Sequence, residues 1–157
     1  MFITPAIAAA HLRLVGNDVG ADITLKADTA EQAAISYLDR AVYETQTQLD
    51  AAIVQVPAGL ATAKAAYIAA DVAAGLIADA DLCLIEKTYA FDTYLKAKFA
   101  AARVRRGLVI NSAILSAMLL ILGDLWENRE DTVVGASATR LPNGARCLLD
   151  AYRHYGA

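Results

Sequence analysis

Two histidines and two cysteines are the chain's only imidazole and thiol groups, and their spacing suits no reaction centre. Cys83 and Cys147 stand far apart and match no metal-binding interval, so both are expected to be reduced thiols, buried or half-buried. Neither has a histidine beside it in sequence. His11, with no second histidine or cysteine nearby, is expected to be structural. A carboxylate di-metal bundle needs Glu-x-x-His pairs, and the sequence has none. Phosphate-cradling loops of the Walker or Rossmann kind are missing too, as is a Gly-x-Ser-x-Gly nucleophile turn. Glu127 and Glu130 fall close together on a helix and have the spacing of an acid/base pair. Pairing with Arg129, or with an arginine of the next segment or subunit, is the simpler role for them. The expectation is a chain without catalysis, cofactor or metal, whose charged and aromatic groups serve contacts.

What must position those groups is a helical body. The chain has 157 residues, 57% hydrophobic and 20% charged, with three prolines. That length suits one domain burying about two-thirds of its unfolded surface. Much of the apolar content is alanine, which favours helix and close helix packing. A net charge of -3 and a pI near 5.3 argue against nucleic acid as the main partner. Met1 to Pro5 lack the basic and long apolar segments of a secretory signal, which points to folding in the cytoplasm.

Thr4-Pro5 has the form of a helix start, a hydroxyl cap followed by proline. This short helix should run to about Arg13, burying Ile7, Ala10 and Leu12, before the turn-rich Gly16-Asn17-Asp18. Asp28 with Glu31, and Thr29 with Gln32, form overlapping capping boxes, so a second helix is expected to begin there. Its Ala34, Tyr37, Leu38, Ala41 and Val42 share a face, with Glu31 off it. From 57 to 106 the composition turns to alanine with scattered charge. Pro57 suits a first helical position, and Leu60, Ala63, Tyr67, Ala70 and Ala74 repeat at helical spacing up to Gly75. A further helix from Asp79 or Asp81 to Arg103 carries Leu82, Ile85 and Tyr89 on one line and Phe91, Tyr94, Leu95, Phe99 and Ala102 on another. The two predict an antiparallel hairpin, either projecting from the bundle or packed within it. Lys96, Lys98, Arg103, Arg105 and Arg106 form the only basic cluster, in the simplest reading a solvated helix end.

Beyond an extended Leu108-Val109-Ile110, Asn111 or Ser112 can cap a helix whose residues Ala113 to Gly123 carry no charge and one hydroxyl, Ser116. That run is expected to be enclosed on every side. It is too short to cross a bilayer, which takes about 20 residues. It gives way to Trp126, Glu127, Asn128, Arg129, Glu130 and Asp131. Carboxylates at a helix C-terminus face the negative end of the dipole and call for cations, for which Arg129, Arg140, Arg146 and Arg153 are the candidates. Residues 131 to 143 read as a loop. Pro142-Asn143-Gly144 then opens a last helix with Ala145, Leu148, Leu149 and Tyr152 on one side.

This order of pieces, Ile114 to Leu122, Trp126 to Glu130, Val133 to Thr139, Leu141-Pro142, Leu148-Leu149 and Tyr152-Arg153, resembles the head-tail connector (adaptor or head-completion) family of tailed bacteriophages and phage-like particles. The likeness is closest over the C-terminal third, and His11-Leu12-Arg13 adds a weaker one near the start. Shorter members join the second helix to the apolar helix more directly, so residues 57–106 read as a hairpin inserted in a single connector domain, 1–157. The resemblance implies an all-α, bundle-like protomer in a ring of identical subunits, dodecameric in the particle. The ring would bind below the portal protein, extend the DNA channel without reading its sequence, and offer a platform for a stopper or tail-completion protein. A virion location at the head-tail junction, assembly in the bacterial host cytoplasm, and no membrane association follow from the same likeness.

A ring built from heterologous contacts needs two different complementary surfaces per subunit. One is expected at Trp126, Glu127, Asn128, Arg129 and Glu130. The other is expected on the tail, at Arg140, Leu141, Pro142, Leu148, Leu149, Tyr152 and Arg153. Core packing within the chain is the rival role for Trp126, Leu148, Leu149 and Tyr152. Truncation after Thr139 should then leave a folded helical protein that no longer binds portal, and the basic cluster would face portal or DNA. The alternative is a small cytoplasmic helical binding or regulatory module, a homodimer built on the alanine-rich hairpin.

Overall fold

Side chains that satisfy free backbone N–H groups set most of the helix starts. The computed structural model describes residues 1–14, 21–128 and 141–155. Among them are α1 (Pro5–His11), α2 (Ala21–Leu38), α3 (Gln46–Ala74), α4 (Ala80–Arg105), α5 (Ser112–Glu127) and α6 (Asn143–Asp150), with two-residue strands β1 (Val42–Tyr43) and β2 (Leu108–Val109). The chain is all-α. Thr4 Oγ1 accepts from the Ile7 N–H at 3.3 Å at the start of α1. Thr45 and Gln48 form a reciprocal capping box at α3. The Asp79 carboxylate accepts from the N–H groups of Asp81 and Leu82, both at 3.0 Å, to open α4. Asn111 Oδ1 accepts from the Ile114 N–H at 3.0 Å to open α5.

The described chain divides into two compact units, one of residues 1–44 and 109–157 and the other of residues 45–108. In the first, α2 and α6 pack on α5, and α1 packs on α2 and α5. Ile23, Ala27, Ala30, Ala34 and Leu38 of α2 are fully buried. Their spacing draws one stripe along the helix, and its alanines let a neighbouring helix come close. α2 begins well before Asp28. Asp28 and Thr29 are therefore internal, the Thr29 hydroxyl bonding back to the Leu25 carbonyl at 2.8 Å, and neither caps a helix. Glu31 is buried, not off the packed face. Its Oε1 accepts from the N–H groups of Phe2 and Ile3, each at 2.6 Å, and so ties the first residues to α2. The helix ends before Asp39, whose φ of 51° is a left-handed conformation that short polar side chains tolerate. Ala41 and Val42 lie past that end. In α1, Ala8 is the buried residue, with Ile7 and Leu12 half-buried and Ala10 exposed.

α5 buries Ile114, Ala117, Met118, Ile121 and Leu122, a single stripe at spacings of three and four. Leu115 and Leu119 are half-buried, and Leu120 is 41% exposed. The helix is thus packed on one face, not enclosed all round. With Ser116 the only polar residue between Ala113 and Gly123 to mark the opposite side, the sequence nearly hid the stripe, and single apolar side chains at a surface are ordinary. Within this unit the Ile110 N–H donates to the Tyr43 carbonyl at 2.9 Å.

In the second unit α3 and α4 pack on each other. Tyr67 stacks on Tyr94 with centroids 5.4 Å apart, and Phe91 meets Tyr67 edge-on at 6.2 Å. Pro57 sits inside α3 and does not open it. The start is displaced to Gln46 because the Thr45 box caps the chain there and nothing between 46 and 56 breaks a helix. By length and composition α3 is long and apolar enough to cross a membrane.

Candidate assembly interface

The described residues expected to make contacts lie at the C-terminal end of α5 and in or beside α6. Trp126, in the last turn of α5, is half-buried, with Lys26 Nζ 5.4 Å from its ring centroid. The same ammonium donates to the Leu125 carbonyl at 2.7 Å and stands 4.0 Å from the Asp22 carboxylate. A cation therefore answers the C-terminal end of the α5 dipole. It comes from α2; of the nominated arginines, Arg146 and Arg153 have other neighbours, and Arg129 and Arg140 lie outside the described residues. Glu127 and Asn128 are exposed. Asn128 closes α5, its N–H donating to the Asp124 carbonyl at 2.9 Å and its side-chain amide to the Asp124 carboxylate at 3.0 Å. Arg129, Glu130 and Arg140 lie outside the described residues, as does most of the expected loop.

Pro142 precedes the first turn of α6, where its carbonyl accepts from the Arg146 N–H at 3.0 Å. Gly144 lies against α5, since a Cβ there would come within 3.4 Å of Leu120 Cδ1. Leu149 is fully buried, together with Ala145, and belongs to the core of the first unit. Leu141, Pro142, Leu148, Tyr152 and Arg153 are half-buried. The outward side of α6 carries Arg146 and Cys147, both exposed, whereas Cys83 is half-buried. The expectation that both thiols are covered is corrected at Cys147.

Tyr37 of α2 gathers the polar groups of this segment. Its hydroxyl donates to Asp150 Oδ1 at 2.5 Å and accepts from Arg146 Nε at 3.1 Å. That hydrogen bond from Arg146, with the nearby Asp150 carboxylate adding to it, holds the guanidinium pKa above the ordinary arginine range. Arg153 stands over the Tyr37 ring at 4.4 Å and over the Tyr155 ring at 5.1 Å. His154 donates its backbone N–H to the Leu38 carbonyl at 2.9 Å, and its Nδ1 lies 3.7 Å from the Asp39 carboxylate.

Lys26, Tyr37 and Asp150 are the positioning residues that sequence reasoning missed. Tyr37 was visible only as one member of an apolar face, and nothing local marks Lys26, whose partner Leu125 is 99 residues away. Among the described residues no three His, Cys, Asp or Glu side chains gather as a metal site requires. What the arrangement offers, among the described residues, is a helical surface of mixed charge with half-buried apolar edges. No protein-family model, no curated protein and no solved structure matches this chain.

Proposed function

We propose that this chain is a structural adaptor of the head-tail connector of a tailed phage or phage-like particle. In this reading a bundle protomer with an inserted alanine-rich helical hairpin, α3 and α4, assembles into a dodecameric ring below the portal. The ring extends the DNA channel without sequence-specific contacts and receives a stopper or tail-completion protein, by surface complementarity and without turnover.

The observation that carries the reading is the packing of α5 with α6. The described pieces on which the family likeness rests, the apolar helix and the segment around α6, meet in one unit, and they leave charged groups, Glu127 and Arg146, exposed on two different helices. A ring needs two such surfaces per subunit. Because Leu149 is buried and Arg153 is stacked on Tyr37, the proposed contacts fall on Trp126, Glu127, Asn128, Arg146 and the half-buried edges of Leu141, Pro142, Leu148 and Tyr152. Electron microscopy of the purified protein with and without portal tests the proposal. Collars seated on portal are expected; a protein that neither forms rings nor associates with portal overturns it.

A further inference from the structure

We infer that the outward face of α4 binds α4 of a second copy of this chain, antiparallel, about a two-fold axis near residue 93. Two helices alone make a thin core: the α3–α4 pair buries only Leu49, Val56 and Ala74, and α4 buries no residue. Most of the exposed large apolar side chains among the described residues belong to this unit. Such a surface calls for a partner.

The pattern on α4 says which partner. Half-buried Ala90, Tyr94, Ala97 and Ala101 mark the side turned to α3. On the opposite side Asp81, Ile85, Asp92, Lys96, Phe99 and Arg103 are all exposed. At 100° per residue these six fall within about 60° of arc, a single stripe. Read along the helix, the stripe runs acid, apolar, acid, base, apolar, base. Reversed and laid on itself about residue 93 it is complementary to within two residues, about 3 Å along the axis: Asp81 lies near a second copy's Arg103, Ile85 near its Phe99, and Asp92 near its Lys96, the two Asp92 side chains lying between the two lysines. Laid parallel, the same stripe opposes like charges, which disfavours that arrangement and fixes the direction. Each contact occurs twice across an isologous interface. Tyr89, 64% exposed, widens the apolar part of the seam.

The inference does not rest on the connector reading, because it uses only the second unit and needs no portal. Sedimentation equilibrium of the full chain alone, at low ionic strength, tests it. A concentration-dependent dimer is expected, weaker at high salt. Asp92→Lys should weaken it about tenfold by opposing Lys96 across the axis, and adding Lys96→Asp should restore it, with helical circular dichroism unchanged in each variant. A chain that stays monomeric overturns the inference, as does a dimer indifferent to Asp92→Lys. Flotation with lipid vesicles is the parallel arm: a monomer carried by vesicles would assign the face to a membrane and overturn self-pairing.

Discussion

The guanidinium of Arg153 lies 4.4 Å above the ring of Tyr37, so the C-terminal segment is fastened to α2 of its own chain. The bond from the His154 N–H to the Leu38 carbonyl secures the next residue at the same helix end. A tail expected from sequence to reach a neighbour is, over residues 141–155, part of the body it was expected to leave. What remains for a partner is its outer surface with the half-buried edges of Leu141, Pro142, Leu148 and Tyr152, and not the buried Ala145 and Leu149.

Truncation after Thr139 therefore should not leave a folded protein. It strips Ala145 and Leu149, both fully buried, from α5. Leu149→Ala alone should cost about 2–5 kcal/mol, since it removes a core side chain and leaves a cavity, and the truncated chain should lose its cooperative urea transition. An unchanged midpoint in the truncated chain would mean that the tail adds nothing to the core. Loss of portal binding on truncation would report unfolding, so Glu127→Lys, on an exposed side chain away from the Tyr37–Asp150 network, is the cleaner test of the surface.

Lys26 makes a second testable link. It joins α2 to the last turn of α5 through the Leu125 carbonyl and the Trp126 ring. Lys26→Met keeps the apolar stem and removes the charge, and should cost about 1–2 kcal/mol from the lost dipole and cation–π terms. Trp126 is the only tryptophan in the chain, so its fluorescence reads this site directly. Emission should shift in the folded variant; an identical spectrum and identical stability would remove Lys26 from the account.

Glu31 bears on the other end of the chain. Replacing it by alanine leaves the N–H groups of Phe2 and Ile3 without their acceptor in a buried setting, at a cost of about 3 kcal/mol. Glu31→Gln retains an acceptor oxygen and should cost less. Hydrogen exchange at the Phe2 and Ile3 amides is the direct measurement: fast exchange is expected in Glu31→Ala, and protection equal to that of the unaltered chain would contradict the role given to the carboxylate.

These residues also mark where the sequence could be read and where it could not. Asp79 and Asn111 cap helices through bonds to residues two or three positions on, and both were legible because cap and helix are neighbours in sequence. Asp28 with Glu31 showed the same local pattern and misled, because Glu31 serves Phe2 and Ile3, which lie 29 and 28 residues away. The packed stripe of α5 was hidden for a different reason, since a run whose one polar residue is Ser116 carries little phase. Of the candidate interface, Trp126 and the α6 residues were nominated by their order along the chain. Lys26 and Tyr37, which hold them, act across separations of 99 to 113 residues and leave no local mark.

Pro57 offers the last prediction. It lies within α3, where it supplies no N–H to the Ile53 carbonyl and its ring crowds the preceding turn. An interior proline disfavours a helix by about 3 kcal/mol relative to alanine. Against this, proline stiffens the unfolded chain, which returns up to about 1 kcal/mol. The balance favours alanine, so Pro57→Ala should stabilise the second unit by about 2 kcal/mol and raise the midpoint of thermal melting followed by circular dichroism. A lower midpoint would mean that the proline ring is packed usefully at that turn.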